Sequence, residues 1–196
     1  MGVRVQFWET PEDDIKKAII NDFEKFKVWY LSIAEEFPDE VNYDILDFIE
    51  REINPRKLFE EIDHQLIDEL VGIYIGEFCD YGPGNKKTVK DSTCLNIKNY
   101  ENDLNTIQKR CDRRVVELWG YIVKGKSMIE PKNMEIDDTV FRYSVLSEEE
   151  CQFLLYELSK NFDVTTPDNF NRMPGIGSVI RAIENKESMG LLITVA

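Results

Sequence analysis

The only histidine of the chain lies among acidic residues, and this cluster is the part of the sequence closest to a chemical site. On a helix, Glu60, Glu61, His64 and Asp68 would share about one third of the circumference, because residues three and four positions apart lie on one face. Carboxylates and an imidazole are metal-ligand chemistry, and the spacing Glu61-x-x-His64 occurs in di-iron helical bundles. Those bundles need two such motifs, so a single histidine excludes a di-iron site.

This cluster has two interpretations. One is a metal-binding protein or hydrolase centred on Glu60, Glu61, His64 and Asp68, which we keep as the alternative. The simpler interpretation is an exposed polar helix face, and we predict that these four residues bind a partner. Any Ser-His or Cys-His mechanism would have to use His64, which restricts nucleophilic catalysis. We therefore predict no catalytic residue, no metal and no cofactor, and the sequence favours a non-enzymatic protein.

A glycine-rich segment offers a third option. Gly175-Ile176-Gly177-Ser178 comes just before a predicted helix, where main-chain N–H groups could hold a nucleotide or another anion. The segment lacks the lysine of a phosphate-binding loop and a preceding strand. Ordinary loop geometry is therefore the simpler interpretation.

One basic cluster stands out in an otherwise acidic chain. Lys109, Arg110, Arg113 and Arg114 would share one face of a helix. The cluster could contact RNA or an acidic ligand. We expect instead that it docks against the acidic N-terminal helices or faces solvent.

The charge of the chain is distributed very unevenly. The formal net charge is −14, and residues 1–80 carry 21 acidic and 8 basic side chains, so that this part accounts for −13. Such a surface repels phosphate backbones and anionic membranes, so binding to nucleic acid is not expected. It attracts basic proteins, and we predict a binding module that presents an acidic helical surface to a basic protein partner. A toxin-neutralising (immunity) protein against a nuclease is one version.

The apolar content and the cysteines indicate a cytoplasmic protein. No apolar run approaches the roughly 20 residues of a membrane span, and the N-terminus has no signal-peptide pattern. The cysteines, which form no C-x-x-C pair, are expected to be reduced thiols. They are Cys79, Cys94, Cys111 and Cys151.

The periodicity of apolar residues predicts an α+β protein, a mostly helical single domain over residues 1–196. Strands are predicted near 3–8, 140–146 and 190–195, and five to six helices pack on this small sheet. A capping box, Ser147 with Glu150, starts one helix, and another is predicted to run from 100 to 123. Residues 82–97 are expected to form a mobile loop.

Residues 55–81 are predicted to form the central buried helix, with a break near Asp63. Within it, residues 70–78 are apolar almost all round, as expected for a helix surrounded by core. Ile73, Tyr74 and Ile75 also favour β structure, so a strand over residues 70–78 is the open alternative.

The layout resembles a class of small bacterial cytosolic proteins of unknown function. The similar parts are the strand near the N-terminus, GYIVKGK at 120–126, YSVLSEE at 143–149 and the terminal apolar strand. This resemblance implies no established catalytic residues and is consistent with a non-enzymatic role. The acidic helical segment that follows the first strand departs from that layout.

Overall fold

The apolar run at the C-terminus lies inside a five-stranded antiparallel sheet. The structure is a computed structural model of the chain. It describes residues 3–9, 15–51, 54–60, 63–79, 87–129, 132–134 and 142–195. The sheet has the order β2-β1-β5-β4. Its long strands are β1 (Arg4–Glu9), β4 (Arg142–Leu146) and β5 (Leu191–Val195). Two short strands, β2 (Lys87–Thr88) and β3 (Leu95–Asn96), pair with opposite ends of β1. The three predicted strands are confirmed.

Helices cover both faces of the sheet. Every residue of β5 is buried, which explains why its sequence is a continuous apolar run instead of an alternating one. Leu191, Ile193 and Val195 pack into one core cluster, whereas Leu192 packs into the other. The α+β, mostly helical fold class is confirmed.

The first face is covered by helices from the C-terminal half. They are α4 (Ile97–Arg110), α5 (Arg113–Lys124), α6 (Glu148–Asn161) and α8 (Pro174–Asn185), with the short α7 (Pro167–Arg172) packed on α8. The single helix predicted over 100–123 is wrong, because the chain breaks between α4 and α5. The Asp112 side chain accepts a hydrogen bond from the Val115 N–H at 3.1 Å and so caps a new helix.

The second face is covered by the acidic N-terminal half. Its helices are α1 (Ile15–Glu36), α2 (Tyr43–Glu50) and α3 (His64–Ile73), with 3-10 helices at Pro38–Glu40 and Pro55–Glu60. The described residues thus contain eight α-helices, more than the five to six expected, since predicted long segments are divided.

The predicted central segment is helical over most of its described residues, and it is mainly buried between Ile67 and Phe78. After α3 it continues as a π-helix, Tyr74–Phe78, in which the Cys79 N–H bonds the Tyr74 carbonyl at 3.0 Å. The strand alternative for residues 70–78 is therefore wrong. Phe26 of α1 lies 5.9 Å from the Tyr74 ring and 5.7 Å from the Phe78 ring, and these aromatic contacts join the segment to the longest helix.

The predicted loop over 82–97 is only partly described. Residues 80–86 lie outside the described part of the chain. The remainder is not all loop, because β2 and β3 pair with β1, and α4 begins at Ile97. Its mobility stays a prediction.

Candidate functional site

Among the four residues predicted to bind a partner, the structure separates the three that it describes. Glu60 is exposed at the end of the 3-10 helix, and Glu61 lies outside the described residues. His64 is the first residue of α3 and is half-buried. Since Glu60 and His64 belong to different helices, the shared helix face assumed from the spacing is not formed. Their contact with a partner stays a prediction.

Asp68 faces the interior, contrary to the expectation that it lies on an exposed surface. It is only 7 % exposed, and its Oδ1 accepts hydrogen bonds from the Tyr143 hydroxyl and the Met128 N–H, both at 2.9 Å. Burial, followed by the nearby Asp68 carboxylate, raises the pKa of Tyr143 well above its ordinary value. The carboxylate therefore joins α3 to β4 and to the segment after α5.

Part of the acidic surface of the N-terminal half lines a groove between α2 and α3. We call this feature, with a volume of about 480 Å³, the acidic groove. Four carboxylates line it: Asp44, Asp47, Asp63 and Glu69. Arg51 is the single cation among the described residues that line it.

Amide side chains and a helix cap hold two of these carboxylates in place. Glu69 accepts hydrogen bonds from the Asn42 amide at 3.0 Å and the Gln65 amide at 3.1 Å. The Asn42 side chain also caps α2, and Asp63 caps α3 by accepting from the Leu66 N–H at 3.0 Å. Asp63 therefore both lines the groove and fixes the start of α3, whereas Asn42 links the start of α2 to Glu69.

The other two carboxylates are available to a partner. Asp44 and Asp47 are exposed, and neither side chain has an ion pair with any residue in the described ranges. Two exposed aromatic residues precede them in the chain: Tyr43, directly before Asp44, is 61 % exposed, and Phe37, seven residues before Asp44, is 44 % exposed. The Tyr43 hydroxyl donates to the Pro38 carbonyl at 3.2 Å, which holds its ring across the chain segment before α2.

The glycine-rich segment already holds an anion, and it belongs to the protein. Asp103 of α4 is buried and accepts a hydrogen bond from the Ile176 N–H at 3.0 Å, at the start of α8. Burial raises the pKa of Asp103, although the main-chain bonds from Ile176 and Gly175 oppose this effect. The Ser178 hydroxyl donates to the Thr93 carbonyl at 3.0 Å. The segment therefore serves to dock α8 on α4.

The basic cluster is divided between two helices. Lys109 and Arg110 end α4, whereas Arg113 and Arg114 begin α5, and all four are exposed. Arg114 stacks over a ring of α6 and pairs with Glu149 of the same helix at 3.0 Å. The cluster thus faces solvent and α6, and its ion pair joins α5 to α6 instead of to the N-terminal helices.

The described residues form neither a metal-binding cluster nor a disulfide. No group of three or more His, Cys, Asp and Glu side chains within them could hold a metal ion. The four cysteines are free thiols, and burial raises the pKa of Cys151 to about 12. No helix within the described ranges is long and apolar enough to cross a membrane.

The acidic groove differs from the cluster that the sequence suggested. That prediction selected carboxylates by their distance from the histidine along one helix. The groove instead combines Asp44 and Asp47 of α2 with Asp63 and Glu69 around α3. The available signal was the polar side of α2, where Asp44 and Asp47 alternate with the buried Ile45 and Phe48.

Comparison with known proteins gives no relative for this chain: no family model, no curated protein and no solved structure matches it.

Proposed function

We propose that this chain is a non-enzymatic binding protein that presents the acidic groove to a basic protein partner. The observation that carries the proposal is the set of four carboxylates around one groove with Arg51 as its cation among the described lining residues. Opposite charge speeds the encounter of two proteins, and exposed aromatic side chains provide apolar contact once they meet. Tyr43, which directly precedes Asp44 at the start of α2, and Phe37 are exposed aromatic residues that would supply such contact.

The metal-binding or hydrolase alternative has less support. It requires Glu60, Glu61, His64 and Asp68 to converge, but Asp68 is engaged in the core with Tyr143. The four free cysteines support a reducing, cytoplasmic location for the protein. Neutralisation of a basic nuclease is one form that this function would take.

The test is the rate of association as a function of salt. A partner is first captured from a lysate of the source cells at low salt and then purified. Its association with the wild-type protein is compared with that of a double variant, Asp44→Asn with Asp47→Asn. A partner cation about 6 Å from each carboxylate would gain about 0.7 kcal/mol from each in water, so we expect roughly a tenfold slower association at low salt. The difference should shrink at high salt.

The matched control removes the same charge elsewhere. Glu24 of α1 and Glu101 of α4 are exposed and do not line the acidic groove. Glu24→Gln with Glu101→Gln should slow association far less than the groove variant. Salt-independent capture, failure to capture any partner, or equal effects of the two double variants would contradict the proposal.

A further inference from the structure

A second groove, away from the acidic groove, follows the outer edge of strand β4. It has a volume of about 510 Å³. Its apolar surface comes from Ile15 at the start of α1, Val145 and Leu146 of β4, and two methionines. These are Met128, after α5, and Met189, which is 58 % exposed just before β5.

The hydrogen-bonding pattern shows which main-chain groups of β4 point into this groove. β4 is the last strand of the sheet, and the Lys126 N–H bonds the Tyr143 carbonyl at 2.8 Å on its outer side. Main-chain groups in an antiparallel strand alternate between the two sides. Tyr143 and Val145 therefore face outward, whereas Ser144 bonds β5.

Strand β1 gives the same alternation independently. The Phe7 carbonyl accepts from the Val89 N–H at 3.1 Å, on the side away from β5. The main-chain groups of Trp8, which follows Phe7, therefore point to β5 and bond those of Leu192. In β5, the main-chain groups of Ile193, which follows Leu192, then point to β4. Ile193 is the register partner of Ser144, so the Ser144–Ile193 pair is the hydrogen-bonded one.

The chain segment that bonds the edge at Tyr143 cannot continue along it to Val145. The next two main-chain N–H groups are used elsewhere, Ser127 with the Lys132 carbonyl at 3.0 Å and Met128 with the Asp68 carboxylate at 2.9 Å. Val145 consequently has no main-chain partner on its outer side among the described residues. Within the described part of the chain, an N–H donor and a carbonyl acceptor of Val145 are thus unpaired beside an apolar groove.

The charged side chains that line the groove sum to zero, because Lys16 and Lys126 balance Glu148 and Glu150. Lys126 pairs with Glu150 at 2.7 Å, and both side chains are less than one fifth exposed. Glu148 pairs with Lys186, whose side chain is buried. A wall in which the charges are already matched is complementary to an uncharged ligand, in contrast to the acidic groove.

We propose that the β4 groove binds a short, uncharged, apolar peptide segment of a partner in an extended conformation. The peptide would add to the sheet edge by pairing its main-chain N–H and C=O with those of Val145. Its apolar side chain would lie against Met128 and Met189, which are flexible and adapt to different shapes. This site is independent of the proposed function, because it shares no residue with the acidic groove.

The probes are four uncharged peptides, acetyl-Ser-Xaa-Val-Xaa-Ser-amide, in which Xaa is Leu, Met, Val or Phe. Each is titrated to about 1 mM into ¹⁵N-labelled full-length protein and followed by amide chemical shifts, a range that detects weak complexes. We expect at least one peptide to shift the amides of Val145, Met128 and Gly190. The acidic groove, followed at Asp47, should be unaffected.

The control changes the peptide and leaves the protein intact. Methylation of the peptide nitrogen that faces the edge removes one ladder hydrogen bond and should weaken binding about tenfold. Methylation at the next residue, whose N–H faces away, should have little effect. Absence of shifts with all four peptides, or equal weakening by both methylations, overturns the proposal. A concentration-dependent dimer that broadens the Val145 amide also overturns it, because a second copy would then occupy the edge.

Discussion

The closest contact between α4 and α8 predicts a large effect from adding one methyl group. A Cβ atom built on Gly175 would lie 2.8 Å from Asp103 Oδ2, 3.1 Å from the Asn99 carbonyl oxygen and 3.1 Å from Tyr100 Cα. Two of these three atoms belong to the main chain of α4, which cannot rotate away. The Gly175→Ala variant must therefore displace either the Asp103 carboxylate or the start of α8.

Each route has a cost that can be worked out. Displacing the carboxylate loses its hydrogen bond to the Ile176 N–H, and bonds to a charged acceptor contribute about 1.5–3 kcal/mol. Displacing α8 overpacks a full core, which costs about 1–3 kcal/mol. Because the protein takes the less costly route, we expect Gly175→Ala to lower the free energy of unfolding by about 1–3 kcal/mol, a large share of the roughly 5–15 kcal/mol typical of a domain.

Urea unfolding measures this loss, and the chain offers a matched control. Gly120 lies inside α5, and a Cβ there would meet nothing nearer than Asn133 Oδ1 at 3.5 Å, an ordinary contact. Because alanine is favoured over glycine in a helix interior by about 1 kcal/mol, Gly120→Ala should be neutral or stabilising. Equal unfolding midpoints for the two variants would refute the close packing of α4 and α8.

Two further predictions concern buried polar groups. Burial opposes ionisation of Glu9, but hydrogen bonds from the Ser188 side chain and from main-chain N–H groups at 187–188 hold its pKa below the ordinary 4.5. The pKa of Glu9 is thus lower in the folded than in the unfolded protein, so its ionised form stabilises the fold. Glu9→Gln should lower the free energy of unfolding by about 1–2 kcal/mol at neutral pH. This difference should disappear as the pH falls below the folded pKa. Urea unfolding at pH 7 and pH 3 tests this, and a pH-independent difference would contradict it. Tyr143→Phe should lower the free energy of unfolding by about 1–2 kcal/mol, because it removes a hydrogen-bond donor from buried Asp68. The same change at exposed Tyr156 should leave the thermal unfolding midpoint unchanged. Similar losses of stability in both variants would argue against the buried hydrogen bond.

Local sequence signals located the element boundaries that depend on neighbouring residues. Ser147 and Glu150 form the predicted capping box, in which each side chain bonds the other residue's main-chain N–H. The helix break at Asp112 was missed, although aspartate is a good N-cap. The apolar period continues across the break, because α4 and α5 each point one apolar face into the same core cluster.

The candidate site could not be predicted because its parts are distant in the sequence. Asn42 of the α2 cap bonds Glu69 of α3, twenty-seven residues further on, and this contact brings the two acidic helices together. The orientation of Asp68 depends in the same way on Tyr143, seventy-five residues away. A helical period shows which residues share a face, but it does not show which face meets the sheet when polar and apolar residues alternate around it.

The acidic cluster around His64 shows how this distinction affects function. The sequence by itself determined the excess negative charge of the N-terminal half, the mostly helical α+β class and the buried segment over residues 70–78, because these depend on composition and short-range periodicity. Only the tertiary structure decided that Asp68 belongs to the core and that Asp44 and Asp47 line a groove with Asp63 and Glu69. The physical reason is that burial and charge clustering arise from contacts between distant segments, which local propensities do not specify.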